Sequence, residues 1–278
     1  MKLGGGGRSS NLEDRRGRGM GPIGIGGGLI TLILALIFGP DVISNGNDTQ
    51  STDSYGEVGQ GLSPQDSARE EPKVVFVSRV LDDVQSTWDD AFKGAGSDYR
   101  PAKLVLFRDG TVSGCGAAQS AMGPFYCPVD QKVYLDLGFF DELQRRFQAP
   151  GDFAQAYVIA HELGHHVQHL MGRDAAVRDA QSRNPSAANQ LSVRLELQAD
   201  CYAGVWAHSA ADRGKLETGD IEEGLNAASA VGDDRIQERT TGSVNVDSFT
   251  HGSAAQRVGW FKRGYESGST RSCDTFSG

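Results

Sequence analysis

Apolar residues between Lys73 and Lys93 recur at Val74, Val77, Val80 with Leu81, Val84, Trp88 and Phe92, the 3.6-residue period of an amphipathic helix. Gly94 and Gly96 end it. Lys103–Phe107 and Thr111–Cys115 are short β-rich runs; Arg108-Asp109-Gly110 between them predicts a hairpin, and Lys132–Leu137 predicts a further strand. From Asp152 to Met171 a helix of about five turns is expected, with Ala156, Ile159, Ala160, Leu163, Val167 and Leu170 as its buried stripe. Asp152 with Gln155 has the spacing of a capping box, and Gly172 stands where a terminating glycine belongs. Gly164 costs this helix about 1 kcal/mol relative to alanine, which predicts that another element packs closely against it. Asn184-Pro185 signals the start of a helix reaching about Ala211, and Ser253–Tyr265 forms the last one. The expected fold class is α+β, mainly helical with a small β-sheet.

Ahead of residue 73 the pattern changes. Residues 1–20 are rich in glycine and arginine without apolar periodicity, so a disordered basic tail is expected there. Residues 21–40 contain the uncharged run Gly21–Phe38, close to the roughly 20 residues that span a bilayer core, with Leu29–Phe38 its most apolar part. A cleaved signal peptide competes with a membrane anchor, but no A-x-A-like site follows Phe38. The expectation is one transmembrane signal anchor, with the arginines on the cytoplasmic side and everything after residue 40 outside. Residues 41–72, dominated by Ser, Asp, Gly, Asn and Gln, have the composition of a disordered linker. Residues 73–278 contain no internal repeat and no second linker, and form one expected domain.

Charge and cysteine usage narrow the partners. The whole chain has a net charge of −9, but residues 41–278 carry 22 basic and 34 acidic residues, net −12. Such a surface repels phosphate backbones, which argues against nucleic acid as a partner. Four cysteines on the outer side of a membrane are expected to pair, and three pairings are possible. Cys115–Cys127, bracketing the Gly-, Ala- and Pro-dense segment Gly114–Pro128, and Cys201–Cys273, tying the C-terminal tail to a helix, are favoured. No C-x-x-C pair suggests a cysteine zinc site.

The candidate chemistry lies in His161–His169, which reads HELGHHVQH. On a helix, H-E-x-x-H places His161 and His165 one turn apart on one face, where both imidazoles can hold one Zn²⁺ with Glu162 beside it. A catalytic zinc needs three protein ligands and an open position. Glu196 and Asp200 are again i, i+4, on the helix that follows Pro185. One carboxylate could complete a His₂Glu set while the other accepts a hydrogen bond from the far nitrogen of a ligand histidine; spacing leaves the division between them open. His166 points away from the metal face, His169 lies two turns beyond His161, and His208 follows Trp206, so packing or surface roles are expected for these three.

The strings CGAAQSAMGPFYCPVDQKVYLDL, HELGHHVQH, LSVRLELQADCYAGVWA and THGSAAQRVGWF resemble the bacterial "putative neutral zinc metallopeptidase" family. H-E-x-x-H followed by E-x-x-x-D on a second helix also resembles the gluzincin peptidases. The resemblance covers most of residues 73–278. It implies a zincin-like fold, one Zn²⁺ per chain, peptidase activity on proteins or peptides, and a membrane-anchored place in the bacterial cell envelope. By the same resemblance His161, His165 and Glu196 are the zinc ligands, Glu162 is the general base, and Asp200 orients a ligand histidine. In gluzincin-like enzymes a later histidine or tyrosine donates to the developing oxyanion, which makes His251 a candidate catalytic residue; capping the last helix is its other role. Two function classes follow: a membrane-tethered zinc endopeptidase acting on envelope proteins or peptides, and an inactive zinc-containing scaffold. A structural zinc has no use for Glu162, which favours the enzyme. Gly114–Pro128 is expected to form one rim of the cleft, with the adjoining strand edge pairing to an extended substrate.

Overall fold

A computed structural model describes residues 1–17 and 63–277. The short apolar runs form a four-stranded sheet in the order β1-β2-β6-β5, from β1 (Leu12–Asp14), β2 (Lys103–Phe107), β5 (Phe125–Cys127) and β6 (Lys132–Asp136). β1, β2 and β6 are parallel, with Leu12 opposite Leu104 and Leu104 opposite Val133, while β5 runs antiparallel to β6. The expected hairpin across Arg108-Asp109-Gly110 does not form. β2 already has β1 on one edge and β6 on the other, so β3 (Gly110–Ser113) pairs with β4 (Gly116–Gln119) in a separate ribbon. The chain turns away at Asp109, whose φ is 63°, and the Asp136 carboxylate holds the turn by accepting from the backbone N–H groups of Asp109 at 2.8 Å and Gly138 at 2.7 Å.

Helices make up most of the remainder: α1 (Pro64–Gly94), α2 (Gly138–Arg145), α3 (Asp152–Leu170), α4 (Arg173–Arg183), α5 (Ala188–Asp212), α6 (Asp220–Ala230), α7 (Asp233–Thr241) and α8 (Ala254–Ser267). The fold is α+β, mostly helical with small sheets. Val74, Val77, Leu81, Val84 and Trp88 of α1 share one core with Leu104, Leu106, Val133 and Leu135 of the sheet and with Ala156, Ile159, Leu163 and Val167 of α3. Burial of these side chains is the main force placing α3 at the centre. α5 and α8 approach at Gly204 and Gly264: a Cβ on Gly204 would lie 2.1 Å from the Phe261 carbonyl oxygen, and one on Gly264 would lie 2.0 Å from that of Cys201. Only glycine allows that crossing. The disulfides are Cys115–Cys127 and Cys201–Cys273, the favoured pairing.

The N-terminal expectations are corrected. Residues 1–17 do not form a free tail: Leu12–Asp14 are hydrogen-bonded into the sheet, and Met1, Leu3 and Leu12 pack on the core. The arginines that suggested disorder are paired, Arg16 with Asp14 and Glu70, Arg8 with Glu71 and Arg15 with Glu13. The Met1 ammonium stands 2.8 Å from Asp152 Oδ2 and 3.5 Å from Asp220 Oδ2, beside a cluster of Asp152, Asp220 and Glu223. α1 likewise begins at Pro64, capped by Ser63, rather than at Lys73. Residues 64–72 resemble a linker because they are polar, but Glu70 and Glu71 find their cations on the N-terminal segment and at Arg108.

Among the described residues no helix is long and apolar enough to cross a membrane. The anchor expected at residues 21–40, and linker residues 41–62, lie outside the described residues. A basic tail on one face of a membrane and a catalytic domain on the other is incompatible with β1 paired to β2, because strand and domain must share one side. The single-pass inner-membrane arrangement and the envelope localisation built on it are therefore not retained.

Candidate metal centre

α3 carries the motif and is buried on nearly every side, His161, Glu162 and Gly164 included. Its start differs from the expected capping box: the N-cap is Gly151, with φ 114°, and Glu223 of α6 supplies the acceptor, its Oε2 lying 3.0 Å from the Phe153 N–H. Gly164 faces α5, where an added Cβ would meet the Ala199 carbonyl oxygen at 3.1 Å and Ala199 Cα at 3.2 Å. This is the close neighbour that the glycine predicted, and it brings the H-E-x-x-H and E-x-x-x-D helices into register.

At that crossing His161, His165 and Glu196 each present one ligand-capable atom, all within 4.8 Å of one another. His161 Nε2 lies 3.1 Å from Glu196 Oε2, and His165 Nε2 lies 3.4 Å from Glu196 Oε1. Each histidine has its other nitrogen engaged: His161 Nδ1 is 2.9 Å from Asp200 Oδ1, and His165 Nδ1 is 2.9 Å from Gln168 Oε1. Acceptors at both Nδ1 atoms leave both Nε2 lone pairs for a metal, and two imidazoles with one carboxylate are a zinc-type donor set with a position open toward the cleft. Residues of this kind fit Zn²⁺. The geometry puts Glu196 with the ring nitrogens that face the cleft and Asp200 behind His161, fully buried.

Electrostatics point the same way. Burial opposes charge on His161, but Asp200 and Glu196 overcome it and push the imidazole up to about 10. Burial likewise opposes ionisation of Glu196, yet His165 and His161 hold it well below the usual carboxylate range. The pocket thus favours a cation. Zinc must displace protons to occupy it, so its affinity falls as pH is lowered.

Two residues of this network were not among the sequence candidates. Arg257 of α8 donates to Asp200 from Nε at 2.8 Å and from Nη2 at 2.9 Å, and the Tyr157 hydroxyl donates to Asp200 Oδ1. Both are buried. A signal existed for each: Tyr157 lies four residues before His161 on its face of α3, and Arg257 interrupts the buried stripe of α8 between Ala254 and Phe261.

The remaining histidines divide as their neighbours dictate. His166 is buried between the Tyr126 hydroxyl at 3.0 Å and the Arg100 carbonyl at 2.6 Å, and burial pushes it down to about 4. His169 is paired with Asp174 at 2.9 Å and His208 with the Tyr265 carbonyl at 2.7 Å. His251 lines the same cavity as His161, Glu162 and His165. It does not cap α8, since Ser253 and Gln256 form the capping box there. Its Nδ1 lies 3.2 Å from Asp233 Oδ1, while Asp233 Oδ2 accepts from the backbone N–H groups of Thr250, His251 and Gly252. The cavity holds about 390 Å³ and is bounded by Met122–Tyr126 and Pro128 on one side, and by Phe139, Phe147, Val158, Val231 and Ile236 elsewhere.

Comparison with known proteins gives the family. The family model described as "Putative neutral zinc metallopeptidase" matches residues 1–276. "Uncharacterized protein YpfJ" of Escherichia coli (strain K12) is 48% identical over 284 residues, 96% of either chain. "Uncharacterized protein Rv2575" of Mycobacterium tuberculosis is 47% identical over 205 residues, 70% of this chain and 67% of its own length. No solved structure matches. With a family match over almost its whole length, and with a relative 48% identical over 96% of either chain, the chain belongs to the "Putative neutral zinc metallopeptidase" family.

Proposed function

We propose that the chain is a zinc-dependent endopeptidase, with Zn²⁺ held by His161, His165 and Glu196 and with Glu162 as general base. One observation carries this: Glu162, only 8% exposed, lines the cavity beside the three ligand residues, and among the described residues no hydrogen bond occupies its carboxylate. A zinc kept for structure takes four protein ligands and has no use for such a group. The ion, when bound, supplies Lewis acidity to the scissile carbonyl and the attacking water. Glu162 takes the water's proton and delivers it to the leaving amine.

His251 completes the chemistry. Asp233 engages its Nδ1, so Nε2 is the nitrogen free to donate to the oxygen on which charge develops. β5 is an edge strand of the sheet, and Phe125 and Tyr126 line the cavity, which supports binding of an extended peptide by strand addition. The apolar wall of Phe139, Phe147, Val158, Val231 and Ile236 supports a bulky apolar side chain next to the scissile bond. The H-E-x-x-H helix packed on the E-x-x-x-D helix, beside a mixed sheet with its edge at the cleft, supports a zincin-like fold.

Incubation with a mixture of defined peptides tests this: cleavage stops on chelation and returns with one equivalent of zinc. A zinc-loaded chain that cleaves nothing would overturn the enzyme in favour of a zinc-containing binding protein. His251→Ala should lower kcat by about 100-fold or more. Burial opposes charge on His251, and the Asp233 carboxylate beside its Nδ1 favours the imidazolium. The protonated donor is present below the pKa of His251 and lost above it, giving the parent an alkaline limb that the variant lacks. An unchanged alkaline limb in His251→Ala would place the donor elsewhere.

A further inference from the structure

Gln168 lies three residues after His165 on α3 and is fully buried. Its amide oxygen stands 2.9 Å from His165 Nδ1, and its amide nitrogen donates to the Leu195 carbonyl at 2.7 Å and to Gln198 Oε1 at 3.1 Å. Gln198, also buried, donates from Nε2 to the Cys273 carbonyl at 3.0 Å. A backbone carbonyl only accepts, so neither amide can be turned over without setting oxygen against oxygen. The direction of the whole series is thereby fixed. Gln168 must offer oxygen to His165, which places the proton on Nδ1 and leaves the lone pair on Nε2, the atom facing Glu196.

We infer that Gln168, braced by Gln198 and the Cys273 carbonyl, is a positioning residue that sets the tautomer and ring orientation of His165 for metal binding. The inference rests on the zinc assignment above. The two histidines are then oriented by different means: a buried Asp200–Arg257 ion pair behind His161, and a neutral amide relay behind His165. Leu195 directly precedes Glu196, so the same amide joins the helix bearing both histidines to the helix bearing the carboxylate. The outer end of the relay belongs to the C-terminal segment, which the Cys201–Cys273 disulfide fastens to α5 next to Asp200. Docking of that segment is thereby coupled to the metal site some distance inward.

Gln168→Met keeps the length of the side chain and removes its hydrogen bonds, whereas Gln168→Glu keeps an acceptor for His165. Zinc affinity of the full chain is measured by competition with a chromophoric chelator, alongside the His165 Nδ1–H signal in ¹H–¹⁵N spectra of the zinc-loaded protein. Gln168→Met should bind zinc about 10- to 100-fold more weakly and lose the slowly exchanging Nδ1–H signal. Gln168→Glu still accepts from His165 but sets its second oxygen against the Leu195 carbonyl, so it should be less stable than Gln168→Met and yet bind zinc more tightly and keep the Nδ1–H signal, which a role in packing alone would not produce. Equal zinc affinity in Gln168→Met and the parent, or zinc bound no more tightly by Gln168→Glu than by Gln168→Met, overturns the inference. If Gln168→Met does not fold, Gln198→Met carries the test, with a smaller weakening expected and unchanged affinity overturning it. A parent chain that binds no zinc refutes the metal assignment itself and is distinguished by that result.

Discussion

Glu162→Gln should bind zinc as tightly as the parent and hydrolyse peptides at least about 100-fold more slowly, within the range of about 10²–10⁴ that a positioned general base contributes. The amide has nearly the shape of the carboxylate, so the packing of a residue this buried is preserved. It cannot take a proton from water at neutral pH, nor hand one to the leaving amine. Because that transfer is made only in the transition state, kcat and kcat/KM should fall together while KM stays. Zinc content should be unaffected, since the three residues that converge are His161, His165 and Glu196. Equal rates in variant and parent would remove Glu162 from the mechanism, and lost zinc would make it a ligand.

Arg257→Ala should be the most destabilising single change near the site, by about 3–5 kcal/mol, because it strands a fully buried carboxylate. Asp200 would keep only Tyr157 and His161 as partners after losing both guanidinium bonds. Arg257→Lys should recover little, since an ammonium cannot reproduce the two-pronged contact. Burial disfavours ionised Asp200, and Arg257 then His161 hold its pKa below the ordinary 3.8. A carboxylate depressed in this way stabilises the fold above its unfolded pKa, and that contribution is lost as pH falls through its folded one. The deficit of Arg257→Ala should therefore be largest at neutral pH and shrink in acid, which urea titrations at two pH values would show. A neutral-pH loss below about 1 kcal/mol would mean that solvent, not Arg257, supports Asp200.

What could be read from residue order alone was what local periodicity encodes. α3, α5 and α8 are long runs of recurring apolar positions, and so their approximate spans were legible although α3 starts at a glycine and not at a capping box, as was the approach of Glu196 to His161 and His165. The separation of β3 from β2 was not legible, because a turn signal says nothing about whether a strand's edges are already taken by β1 and β6. The docking of the N-terminal segment was not legible for a related reason. Arg8 and Arg16 share the nearby Asp14, but what docks the segment is their pairing with Glu71 and Glu70, more than fifty residues away. Arg257 and Gln168 escaped notice because each acts on a metal-site residue through a contact that only the packed helices create.

The proposed zinc is held at one place, the crossing of α3 with α5, and anomalous diffraction at the zinc edge from crystals of the zinc-loaded chain tests that place directly. The expected result is one peak about 2.0–2.2 Å from His161 Nε2, His165 Nε2 and a Glu196 oxygen. A peak instead at Asp152, Asp220 and Glu223, or no ordered zinc at all, would contradict it.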